Sequence, residues 1–257
     1  MHTKNLMIIT SGAVALVIVF NMNAIAGAFE PQKRKKSTIA EVDTIYTNLE
    51  GSGPGLIIEF TRGKAHNHPL MAIWVEDTSG KYIQTLYVAQ SIATGIFKYG
   101  DASSGQWTSG EIRRPAALPY WAHKRGIQAT DGLFLPTPDN PVPDTYSGAT
   151  PKFDFMIDSR LDDDDAEFYV LMEINQPWDW NAYWTNSKFP DDYEYKTSAQ
   201  PAVIYRTLVT PASDRKEFPM EVMGHSHYAG SDGNLYEDIS TLSTALHIAE
   251  KVVVKLK

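Results

Sequence analysis

Two apolar runs separated by four turn-forming residues constrain this chain more than any other feature. Residues 70–76 read Leu-Met-Ala-Ile-Trp-Val-Glu, and residues 81–89 alternate around Tyr82, Ile83, Leu86, Tyr87 and Val88. Between them stands Asp77-Thr78-Ser79-Gly80. Asp and Ser side chains fold back onto nearby backbone, and Gly accepts a left-handed conformation, so the pair predicts a β-hairpin. Similar short runs recur at 55–62, 167–174, 202–209, 218–223 and 251–256. Short strands punctuated by turn signals predict a mostly β fold, an immunoglobulin-like β-sandwich. The 13 Tyr and 6 Trp favour the same class, because aromatic rings pack well on a pleated surface. Trp107 and Trp121 are expected to pack in the core. Two short helices are expected, one over roughly 115–124 and one starting near Thr241. Residues 126–151 are dense in Pro, Gly, Asp and Thr, which predicts a long irregular central loop.

The N-terminus bears on compartment. Residues 1–5 hold one Lys, and residues 6–20 are apolar except for Thr10, Ser11 and Gly12. Ala24 with Ala26, or Ala26 with Ala28, satisfies the small-x-small rule for cleavage. This order predicts a secretory signal peptide over 1–28, a linker over 29–50 and one β-sandwich domain over 51–257. The alternative is an uncleaved anchor, for which the apolar stretch is short. The expected location is periplasmic, with no stable membrane insertion after cleavage.

Charge and cysteine content exclude several functions. The net charge is −8, and residues 1–28 carry one Lys and no acid, so the remainder is more acidic still. Such a chain repels nucleic acid and anionic lipid. Cys is absent, which removes disulfides, thiolate metal sites, iron–sulfur clusters and a cysteine nucleophile. No nucleophile elbow, P-loop, dinucleotide fingerprint or Ser-His-Asp set stands out, and an electron carrier or accessory protein is expected more than a stand-alone enzyme.

The irregular segment ends in Asp144-Thr145-Tyr146-Ser147-Gly148-Ala149-Thr150. This resembles the site at which extracytoplasmic flavin transferases attach FMN: Asp, two free positions, Ser or Thr, Gly, Ala, then an acceptor hydroxyl. The resemblance implies that Thr150 carries FMN through a phosphoester bond. The acceptor must enter another enzyme's active site, so its neighbours must be small, as Gly148 and Ala149 are. Asp144 and Ser147 can fix the turn by local hydrogen bonds. Pro151 restricts Thr150 to extended geometry, and Lys152 stands where such sites often carry a second hydroxyl residue. The competing reading is a tight Ser-Gly-Ala turn with a capped hydroxyl.

His66-Asn67-His68 and His225-Ser226-His227 share the pattern His-x-His. On a strand, positions i and i+2 face one side, so each pair would present two imidazoles to a divalent transition metal such as zinc or copper. Asp179 and Asp232 are candidates to complete either half-site. Pro69 and the Gly-rich stretch after Tyr228 point instead to histidines in surface turns. The segment Trp178-Asp179-Trp180-Asn181-Ala182-Tyr183-Trp184 suits stacking on a sugar or an isoalloxazine ring, or folding back over the core. Asp162–Asp165 reads as a solvated acidic turn more readily than as a calcium loop.

Across 55–250 a wider resemblance appears. Met71-Ala72-Ile73-Trp74-Val75-Glu76-Asp77, Leu118-Pro119-Tyr120-Trp121, the stretch from Ser147 to Lys152, and Gly224-His225-Ser226-His227-Tyr228 onward to Thr244-Ala245 resemble predicted periplasmic proteins of the domain-of-unknown-function family 2271. The resemblance implies a setting near membrane flavin and iron-reduction systems. A flavin transferase and a membrane redox protein are the implied partners, and no established activity comes with it.

Overall fold

The computed structural model describes residues 42–142, 147–148, 150–163 and 166–257. The expected signal peptide over 1–28, Asp144 and Ala149 lie outside these residues. Two sheets stack face to face. The first has the order β1 (Asp43–Tyr46), β8 (Phe155–Arg160), β2 (Gly55–Arg62), β13 (Ala249–Leu256), β11 (Glu217–Pro219). The second runs β12 (Glu221–His225), β10 (Val203–Val209), β9 (Phe168–Asn175), β3 (Leu70–Asp77), β4 (Tyr82–Ala89), β7 (Ser147–Gly148). All neighbours are antiparallel except β1 on β8 and β7 on β4. A separate hairpin pairs β5 (Ile96–Asp101) with β6 (Thr108–Glu111).

The five-stranded sheet has one dry face, and its sequence alternates accordingly. Leu56, Ile58 and Phe60 on β2, Phe155 and Ile157 on β8, and Val252 and Val254 on β13 point inward and are buried. Each such side chain contributes roughly 1.5–3 kcal/mol relative to exposure. On the wet face Lys255 bridges Glu59 at 2.8 Å and Glu217 at 3.0 Å across three strands.

The six-stranded sheet is covered on both sides, which explains the unbroken apolar run in β3. Met71, Ile73 and Val75 meet the other sheet, together with Val170 and Met172 of β9. Ala72, Trp74, Val88, Leu171 and Ile204 meet a second core on the opposite face. That second core is closed by α1 (Gln90–Thr94), by α2 (Pro119–Arg125) and by Leu135 and Val142 of the irregular segment. The expected hairpin forms: Asp77 Oδ1 accepts from the Ser79 and Lys81 amides at 2.8 and 2.9 Å, and Gly80 takes φ +83°.

Four expectations change. The run over 218–223 is two strands in different sheets. Pro219 has no amide to extend β11, and the chain crosses at Met220, whose N–H donates to the Val252 carbonyl at 2.9 Å. The region expected as a linker over 29–50 contributes β1, which pairs with β8 through Asp43–Tyr46. The helix expected near Thr241 is a single 3-10 turn over Thr244–His247. Trp121 is buried as expected, but Trp107, in the connection between β5 and β6, is 66% exposed. A third helix, α3 (Tyr193–Ser198), is capped by Asp192, whose carboxylate accepts from the Tyr195 amide at 2.9 Å.

Candidate functional site

The described part of the acceptor-like motif, Ser147, Gly148 and Thr150, lies at the edge of the six-stranded sheet. Ser147 and Gly148 form β7, pairing with Val88 and Ala89. The Tyr87 ring is buried, and its phenol donates to the Gly148 carbonyl at 3.1 Å. Burial pushes that phenol well above its ordinary pKa, while a hydrogen bond with the Thr150 hydroxyl acts in the opposite sense. Thr150 itself is half-buried. Just beyond it, Arg62 donates to the Lys152 carbonyl at 3.3 Å, and its guanidinium lies 5.0 Å from the centre of the Phe153 ring. Phe153 is 65% exposed. A cation and an open aromatic face therefore stand within three residues of the threonine.

The first histidine pair does not sit on a strand. His66 and His68 follow β2 in a turn, and His68 has φ +54°, which breaks the alternation that would align the two imidazoles. His66 packs edge-on against Phe60 at 5.7 Å. Its pKa is lowered, first by burial and then by the Arg62 charge. His68 is exposed, with Nδ1 3.0 Å from Asn67 Oδ1.

The second pair lines a cleft of about 350 Å3 with Tyr183, Trp184, Tyr228, Tyr236, Glu237 and Asp238. His225 ends β12. It exchanges backbone hydrogen bonds with Tyr236 at 2.8 and 2.9 Å and stacks on that ring at 5.5 Å with planes 10° apart. Gly224 permits this approach: its φ is +152°, and a Cβ there would lie 2.4 Å from the Tyr236 carbonyl oxygen. His225 Nδ1 is 2.7 Å from the Ser226 carbonyl oxygen, which can only accept, so Nδ1 carries the proton and Nε2 presents a lone pair. His227 has the opposite tautomer, because its Nδ1 accepts from the Ala229 amide at 3.1 Å. Its Nε2 lies 3.3 Å from Ser231 Oγ.

Among the described residues the two pairs share no hydrogen-bond or ring partner. Among the described residues no group of three or more His, Asp or Glu side chains is arranged to hold a metal ion. Asp232 accepts from the Tyr236 hydroxyl at 3.0 Å and from the Asn234 amide at 2.9 Å. Asp179 is committed elsewhere: it accepts from the Thr244 hydroxyl, and burial raises its pKa.

The aromatic segment folds back over the sandwich core. Trp184 is buried, Trp180 packs against the same core, and Trp178 and Tyr183 are exposed. Asn181 fastens the loop. Its Nδ2 lies 2.9–3.0 Å from Gln200 Oε1, the Thr241 carbonyl and Ser243 Oγ and shares its two hydrogens among them, and its Oδ1 accepts from the Trp184 amide at 2.7 Å.

Behind the cleft lies a residue that sequence reading does not single out. Glu173 of β9 is fully buried, and its carboxyl accepts from the Tyr120 and Trp121 amides at 3.2 and 2.8 Å, at the start of α2. Burial pushes its pKa up to about 8, against the opposing pull of those amides and of the Ser226 hydroxyl. The only signal in the sequence is an acid inside an otherwise apolar strand.

No family model matches the chain, and no curated protein or solved structure does so either. No helix among the described residues is long and apolar enough to cross a membrane.

Proposed function

We propose that this protein is an exported electron carrier, bearing FMN esterified to Thr150 and working in the periplasm between a membrane redox protein and a further acceptor. The observation that carries the reading is the place of the threonine: half-buried, beside an edge strand of two residues. Local opening there breaks little of the ladder, so a flavin transferase can reach the hydroxyl without unfolding the sandwich. Gly148 keeps the approach narrow, and Pro151 holds Thr150 extended.

The surroundings fit a phosphoester. The Arg62 guanidinium supplies positive charge at the Lys152 backbone, two residues beyond the acceptor, and the exposed Phe153 ring offers a stacking face. FMN, once attached, supplies the redox chemistry, and the chain fixes it in place. A threonine hydroxyl is not acidic, so the base and metal for attachment come from the transferase.

Co-expression with an active flavin transferase tests the proposal. In-gel flavin fluorescence that survives denaturation is expected, and Thr150→Ala should abolish it. A dark band in the unaltered chain alongside a labelled control substrate contradicts it.

A further inference from the structure

We propose that the exposed ring of Trp178, with Arg114 against it and Glu194 nearby, is a binding site for a pyranose unit of a neutral oligosaccharide. It is independent of Thr150 and of any flavin.

The backbone holds Trp178 outward against its own preference. Its φ is +56°, a left-handed conformation that is strained for a bulky residue. The Trp178 amide donates to the Thr197 carbonyl at 3.2 Å, and the Asp179 amide donates to the Ser198 carbonyl at 3.3 Å, so α3 keeps the strained residue in place. The Trp178 carbonyl accepts from the Trp180 amide at 3.0 Å. The residue is nonetheless 60% exposed. The Arg114 guanidinium lies 5.5 Å from the centre of the indole and 4.7 Å from the centre of the Phe97 ring. Strain that presents an aromatic face to solvent, braced by a stacked cation, points to a ligand.

One donor and one acceptor stand by the ring without partners among the described residues. The Arg114 Nε and Nη1 atoms are covered, and Nη2 is open to solvent. Glu194 likewise has Oε2 covered and Oε1 open. Arg114 feels the charges of Glu194 and of Tyr193, whose side chain is also well exposed, so these groups share one patch with the indole. No ion pair closes between Arg114 and Glu194, although each acts on the other. One sugar hydroxyl can accept from Arg114 and a second can donate to Glu194, while the C–H face of the pyranose lies on the indole. An anion gains from Arg114 and loses to Glu194. A polyproline segment would lie on the rings but brings no N–H for Glu194.

Calorimetric titration of the full chain with cellotetraose, maltotetraose and chitotetraose tests the proposal, with tetragalacturonic acid and decaproline as the anionic and peptide alternatives. At least one neutral sugar is expected to bind saturably, and more tightly than either alternative. Trp178→Asn removes the ring and keeps a residue that tolerates the left-handed turn, so the protein should still unfold cooperatively while that sugar binds at least about tenfold more weakly. Glu194→Ala should weaken the same sugar about fivefold. Absence of saturable binding for all three neutral sugars, or unchanged affinity in Trp178→Asn, overturns the proposal. Tighter binding of tetragalacturonic acid or of decaproline also overturns it.

Discussion

The phenol of Tyr87, on β4, donates to the carbonyl oxygen of Gly148, on β7, at 3.1 Å, and the same oxygen atom of Tyr87 is tied to the Thr150 hydroxyl. The buried tyrosine thus clasps the segment that has to peel away for modification. Tyr87→Phe keeps the ring packing and removes the clasp. It should cost about 1 kcal/mol of stability and raise the initial rate of flavin attachment several-fold. Time-resolved in-gel fluorescence with purified transferase measures the rate, and a slower rate would count against an accessibility-limited step.

Glu173 makes stability depend on pH in an unusual direction. Its folded pKa, about 8, lies above the ordinary carboxyl value, so between those two values the folded state holds a proton that the unfolded chain has lost. Its contribution is therefore complete below the ordinary glutamate range and declines as pH rises toward about 8. Glu173→Gln, which cannot ionise and still accepts one amide, should flatten this slope in denaturant titrations between pH 5 and about 8. An unchanged slope would show that the carboxyl does not titrate there.

Glu173→Ala has a different consequence. The Tyr120 and Trp121 amides lose their acceptor inside the second core, and a loss of about 3 kcal/mol is expected. Chemical denaturation reads this directly. A loss below about 1 kcal/mol would mean that water or another group replaces the carboxyl.

Asn181 has a comparable role in the aromatic loop. Asn181→Ala removes the two N–H donors shared among Gln200, Thr241 and Ser243 and the acceptor of the Tyr183 and Trp184 amides. It should destabilise the protein by about 2–3 kcal/mol and speed amide exchange at Trp184. Unchanged exchange there would place the loop's rigidity in ring packing alone.

Much of the sandwich is legible in the sequence because its signals are local. The alternation of Leu56, Ile58 and Phe60 and the Asp77–Gly80 turn each fix their own strand. The break at Met220 is not legible, since a short run such as Phe218-Pro219-Met220-Glu221-Val222-Met223 reads much the same whether it stays in one sheet or crosses to another. β8 buries Phe155, Ile157 and Ser159 in alternation, yet Met156 masks that period in the sequence and the strand escapes notice beside the acidic run that follows. β1 escapes because its stability comes from pairing with β8, more than a hundred residues away in sequence. α3 is six residues long, too short for a helical period to emerge.

The candidate sites divide in the same way. Histidine spacing identifies residues but not geometry: the left-handed turn at His68 separates one pair, and opposite tautomers divide the other. The cleft joins Trp184, His225, Tyr236 and Thr241, which come together only through the Asn181 network and the Gly224 approach. No single stretch carries that information.

Intact mass spectrometry of the protein purified from its native envelope tests the central claim most directly. The account predicts a chain shortened at its N-terminus and heavier by one FMN less one water, held as a phosphoester on Thr150, with the adduct absent from Thr150→Ala. An unmodified mass, in cells whose other flavin-transferase substrates are labelled, would contradict it.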